Sequence, residues 1–142
     1  MMPRPAASDP HALPWRRALA LWVLIALVET LHGVLRGLLV VPAVGEAAAQ
    51  RIGFAVGCVL VLGVAWLCSG WLGARTSAAQ AKTGLLWMLL MLGFEIVIGL
   101  LRGMDATRIA AEFDPGRGGL MLYGLLLLAA APWLAARLRR PR

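Results

Sequence analysis

Four long apolar runs dominate this chain, at residues 18–41, 52–74, 84–104 and 118–136. Each reaches the roughly 20 residues that a helix needs to cross about 30 Å of hydrocarbon. Breakers separate them: Pro42 and Gly45, then the polar stretch 75–83, then the turn Asp114-Pro115-Gly116. Such runs leave little polar residue to coat a soluble globule. The 142 residues are 61% hydrophobic and 15% charged, against about 45–50% and about 25% in soluble proteins. The reading is an all-α, polytopic transmembrane four-helix bundle. It comprises a single membrane domain over 15–142, preceded by a disordered tail over 1–14.

The net charge of +7 would suggest nucleic acid in a soluble protein, but here the basic residues flank apolar runs, so none is expected as a partner. They are topology signals. Arg4, Arg16, Arg17, Arg75, Lys82, Arg137, Arg139, Arg140 and Arg142 fall on one side of the predicted bilayer. Arg51, Arg108 and Arg117 fall on the other, mixed with Glu46, Asp105, Glu112 and Asp114. The positive-inside rule then puts both termini in the cytoplasm, with Trp15, Trp71 and Trp133 as an interfacial belt on that side. A cleaved signal peptide ending at Ala43-Val44-Gly45 is the rival reading. It is disfavoured because the first run is too long and contains Glu29 and Arg36. Cys58 and Cys68, about 15 Å apart along one helix, are read as small buried apolar residues rather than a disulfide or metal pair.

A shift of 66 residues lays the chain over itself. Glu29 falls on Glu95, Gly33 on Gly99, Leu35 on Leu101, Arg36 on Arg102 and Gly37 on Gly103, then Glu46 on Glu112, Arg51 on Arg117 and Gly53 on Gly119. All four charged positions keep sign and type, which argues for an internal repeat of two helical hairpins, about 15–75 and 84–140. Each hairpin crosses twice, so the copies are parallel repeats related by an axis along the membrane normal.

Helical spacing places Glu29, Gly33, Arg36 and Gly37 on one stripe of the first span, with His32 beside them. Glu95, Gly99, Arg102 and Gly103 form the matching stripe of the third. Gly33/Gly37 and Gly99/Gly103 are small-xxx-small motifs that predict close helix packing. Symmetric packing would set the two stripes face to face with Glu29 and Glu95 at similar depth.

A carboxylate in hydrocarbon is costly and should face protein or water. In one reading the charges are structural clamps that set helix register, Glu29 and Glu95 with Arg36 and Arg102, Glu46 with Arg51, and Glu112 with Arg117. In the other, Glu29, Glu95, His32, Arg36 and Arg102 form an ion or proton site, since two carboxylates brought together in low dielectric would share a proton or hold a cation. Glu29-x2-His32 has a ligand spacing found in four-helix bundles, and Glu95 could complete a metal set. The counterpart of His32 is Ile98, however, so a paired motif is missing. No metal or other cofactor is therefore expected. Tyr123 reads as a packed aromatic, Pro132 as a kink near the end of the fourth span, and 105–117 as a short surface helix.

No phosphate-binding loop, nucleophile elbow or metalloprotease motif occurs, so no enzyme is recognised. The stretches ETLHGVLRG, FEIVIGLLRG and RGGLMLYGLLLLAAAPWLAARLR resemble uncharacterised small four-span inner-membrane proteins of bacteria. The resemblance covers nearly the whole chain after residue 15. It implies a bacterial inner-membrane location but carries no activity. Two functions fit the residues: proton or small-cation transport or sensing through the Glu pair, and an accessory or assembly subunit of a larger membrane complex. With four helices enclosing little space, a homo-oligomer or larger complex is expected.

Overall fold

The computed structural model describes residues 9–139. Its helices are α1 (Trp15–Leu35), a π-helical segment (Arg36–Val40), α2 (Val41–Val44), α3 (Glu46–Leu72), α4 (Ser77–Leu101), α5 (Ala106–Phe113) and α6 (Met121–Leu138). α1 to α2 form one continuous rod, and this rod, α3, α4 and α6 are each long and apolar enough to cross a membrane. That is the mark of a multi-pass membrane protein, and it agrees with the four apolar runs.

Element boundaries follow from local chemistry. The first rod reaches Val44 through the π segment, in which the Val41 N–H donates to the Arg36 carbonyl. The wider turn lies immediately before Pro42, whose ring would crowd a carbonyl four residues back in a regular helix. Gly45, at φ 81°, reverses the chain alone, a conformation that side chains with a Cβ rarely take. α3 therefore starts at Glu46, six residues before its apolar run. α4 likewise starts early, because Thr76 caps it by accepting from the Ala79 N–H at 3.2 Å. The connection between α4 and α6 does contain the expected short amphipathic helix, α5, capped by Asp105 on the Arg108 N–H at 2.8 Å.

Around the bundle the order is α1, α3, α6, α4, closing back on α1. A twofold along the bundle axis relating α1 to α4 and α3 to α6 would set α1 against α6 and α3 against α4. The two helix pairs instead lie side by side, α1 against α4 and α3 against α6. Although α1 and α4 touch, the predicted glycine stripes do not pack on each other: a Cβ at Gly33 or Gly37 would meet nothing within 4 Å, and one at Gly99 would meet Ile109 and Met104.

The interior is built from small residues and a few large ones. Ala18, Ala131 and Ala135 are fully buried, with Ile25, Leu128 and Trp87 between them. Trp87 of α4 donates through Nε1 to the Ala18 carbonyl of α1 at 2.7 Å, the central polar tie between those helices. Gly84 lets α4 sit directly on the Ala129 carbonyl of α6, a contact that any Cβ would block. Pro132 is buried inside α6. Large apolar side chains point outward instead, among them Leu31, Val59 and Leu101, as an apolar solvent requires.

One end of the bundle gathers both described chain ends. Residues 9–14, expected to be disordered, are strapped there, because the Pro10 carbonyl accepts from Thr76 at 3.2 Å and the His11 carbonyl accepts from Lys82 at 2.9 Å. The remainder of the predicted tail, 1–8, lies outside the described residues, as do Arg140 and Arg142. At the same end, four arginines cover four tryptophan rings: Arg16 on Trp15, Arg17 on Trp71, Arg137 on Trp133 and Arg139 on Trp66.

Candidate functional site

Glu29 occupies the middle of α1 and faces α3, within its own helix pair. Its Oε2 would lie 2.9 Å from a Cβ at Gly57, so a glycine is needed to admit the carboxylate. Oε2 is 3.6 Å from Nδ1 of His32, one turn along, too long for a hydrogen bond but close enough for a charge interaction when the imidazole carries a proton. The other oxygen, Oε1, is buried and has no hydrogen-bond partner among the described residues. Buried polar atoms without partners are uncommon and mark places where a proton, water or ion can be accommodated.

A second such atom lies on the same face of α1. Trp22 Nε1 is buried without a partner among the described residues, while its ring packs edge-on against Phe94 of α4, centroids 6.1 Å apart. Trp22 precedes Glu29 by seven residues, so the two share a stripe. That spacing was visible in the sequence, but an apolar indole in an apolar run gave no reason to single it out.

Arg36 does not reach back to Glu29. Its aliphatic stem crosses Gly53 of α3, touching where a Cβ would sit, and Nη1 meets Glu46 Oε1 at 3.2 Å. The predicted Glu29–Arg36 clamp is therefore replaced by an Arg36–Glu46 pair, and the predicted Glu46–Arg51 clamp is absent. The cause is the connection: the π segment and Gly45 bring the start of α3 beside Arg36, while seven residues of rise, about 10 Å, separate Arg36 from Glu29. Arg51 is exposed and in no ion pair among the described residues. A cavity of about 160 Å³ opens between the π segment and α3, lined by His32, Arg36, Gly53 and apolar side chains. His32 thus joins this cavity to the Glu29 carboxylate.

The second helix pair is built differently. Glu95 is half-buried on α4, within electrostatic range of Glu112, Glu29 and Arg102, yet has no ion-pair partner among the described residues. Arg102 and Glu112 are exposed. Arg117 pairs with Asp114 at 3.5 Å rather than with Glu112, because both sit in one tight turn that Asp114 also caps through the Gly116 N–H. The predicted Glu112–Arg117 clamp thus does not form.

The glycine motifs separate in the same way. Gly33 and Gly37 have no neighbour within 4 Å of a notional Cβ, so they pack against nothing among the described residues, contrary to expectation. Gly99 is buried under Ile109 of α5, 3.1 Å from a notional Cβ. Gly103, at φ 76°, ends α4 in a left-handed turn and packs no helix. Gly53 and Gly57 of α3 instead cradle Arg36 and Glu29.

Glu29, His32 and Glu95 do not converge on a metal site. Among the described residues no group of three His, Cys, Asp or Glu side chains is placed to hold a metal ion. Tyr123 is half-exposed on α6 rather than packed inside. Cys58 and Cys68 are free thiols.

The chain matches no protein-family model, no curated protein and no solved structure.

Proposed function

We propose that this protein binds and passes a proton or small cation at Glu29, with His32 and the adjoining cavity as the route toward the Arg36–Glu46 end and Glu95 as a second acceptor. The observation that carries this reading is the buried, unpartnered Oε1 of Glu29, a few ångströms from a histidine that itself lines a cavity. Intramembrane acids tend to mark proton relays and ion pathways. A proton arriving through the cavity would reside on His32, pass to a Glu29 oxygen, and exchange with Glu95 across α1 and α4. The same proposal places the chain in the inner membrane of a bacterium with both termini cytoplasmic, by the asymmetry of its basic residues. It also treats the two helix pairs as diverged copies of one hairpin and the working unit as a homo-oligomer.

The test is flux. Purified protein in vesicles, with an internal pH dye and an imposed potassium potential, should pass protons; Glu29→Gln should abolish the flux and Glu95→Gln reduce it. Folded wild-type protein with no proton or cation flux would sink the proposal.

A second reading has its own observation. The Arg36–Glu46 pair, with the arginine stem laid over Gly53, suits an accessory or assembly subunit of a larger membrane complex, with charges that fix helix register. On that reading Glu29→Gln alters folding or co-purifying partners but no flux.

A further inference from the structure

Arg16, Arg17, Arg75, Lys82, Arg137 and Arg139 crowd one end of the bundle. None of them is in an ion pair among the described residues; the nearby acid, Asp9, accepts instead from the His11 N–H at 2.8 Å. Four of these cations lie over exposed tryptophan rings. Between the ends of α3 and α6 a crevice of about 210 Å³ opens, lined by Ser69, Arg75, Gln80, Pro132 and Arg139 among others.

We propose that this crevice seats the phosphate of an anionic phospholipid, held by Arg75 and Arg139. Arg139 is preset for the task. Its guanidinium lies over the Trp66 ring, 5.5 Å from the centroid, its Nη2 donates to the Leu67 carbonyl at 3.0 Å, and its Nη1 lies where only a glycine at position 70 leaves room. That uses one of five guanidinium N–H donors, so others remain for phosphate oxygens. Gln80, 4% exposed, is fixed in turn by its bond to the Ala74 carbonyl at 3.0 Å, which gives the crevice a rigid polar floor. Arg75 is exposed and free to close over an anion. A lipid suits the site better than free phosphate because the crevice also has apolar walls at Leu72, Pro132 and Ala136. Exposed Trp66 lies under Arg139, and exposed Trp71 and Trp133 sit at the same end of the bundle; indoles favour the glycerol region of a bilayer. Basic pockets between membrane helices commonly recognise such headgroups.

The experiment titrates the detergent-solubilised full chain with phosphatidylglycerol and with phosphatidylcholine and counts bound lipids by native mass spectrometry. Wild type should prefer phosphatidylglycerol. Arg75→Gln, which removes no contact within the bundle, should weaken that lipid about fivefold, and Arg75→Gln with Arg139→Gln about 25-fold. Arg108→Gln, at the opposite end, should change nothing. Equal binding of the two lipids, or full preference retained in Arg75→Gln, overturns the proposal. So does displacement of phosphatidylglycerol by excess inorganic phosphate, which would make the crevice a free-anion site.

Discussion

The two helix pairs use glycine for opposite purposes. In α1/α3, Gly53 and Gly57 make room for charged side chains, the stem of Arg36 and the carboxylate of Glu29. In α4/α6 and the connection between them, Gly84 and Gly119 make room for backbone, the carbonyls of Ala129 and of Glu112 and Ala111. Side chains can swing away from an intruding methyl group; a helix backbone cannot without moving the whole helix. The second pair should therefore be the rigid half of the molecule, and the first the adaptable half that holds buried charge.

Gly84→Ala tests the contrast most severely. It should destabilise the bundle by about 3 kcal/mol, at the upper end for overpacking, because the obstruction is a carbonyl in mid-helix. Unfolding in detergent, followed through a thiol-reactive dye at Cys58 and Cys68, would read the loss. An effect no larger than that of Gly57→Ala would break the comparison. Trp87→Phe comes next. It removes the tie to Ala18 and leaves a void, for about 1–2 kcal/mol in the same assay. Gly57→Ala should cost about 1 kcal/mol, since the Glu29 carboxylate is displaced rather than the backbone; in vesicles it should also diminish any flux. Gly33→Ala should stabilise α1 by roughly 0.5 kcal/mol through helix propensity alone, as nothing stands in its way. Destabilisation there would reveal a neighbour outside the chain, such as a second copy. Glu46→Gln should have the smallest effect, a few tenths of a kcal/mol, because its own carboxylate is largely exposed.

The 66-residue correspondence shows where pattern and structure part. Glu29 and Glu95 both fall on mid-helix, half-buried positions, as their spacing within apolar runs implied. Arg36 and Arg102 do not behave alike. Arg36 lies in a rod that continues to Val44, so its head meets the next helix; Arg102 sits where α4 has already stopped, so its head is exposed. The difference comes from the residues that follow. Pro42 and Gly45 have Arg108 and Ala111 as counterparts, and without that turn the second pair connects its helices through α5. Gly37 and Gly103 diverge for the same reason, one inside a helical rod and the other in a left-handed turn.

By itself the sequence determined the four helices long and apolar enough to span a membrane, the short amphipathic helix between the last two, and the partly buried placement of the two glutamates. Transfer of apolar side chains out of water is strong, local in sequence and readable run by run. Only the tertiary structure decided which charge meets which, that the helix pairs lie side by side, and that Gly53 and Gly57 serve side chains while Gly84 serves backbone. Those choices depend on helix rotation and on one-residue turns, where a shift of a single position rotates a helix face by about 100° and exchanges every partner on it.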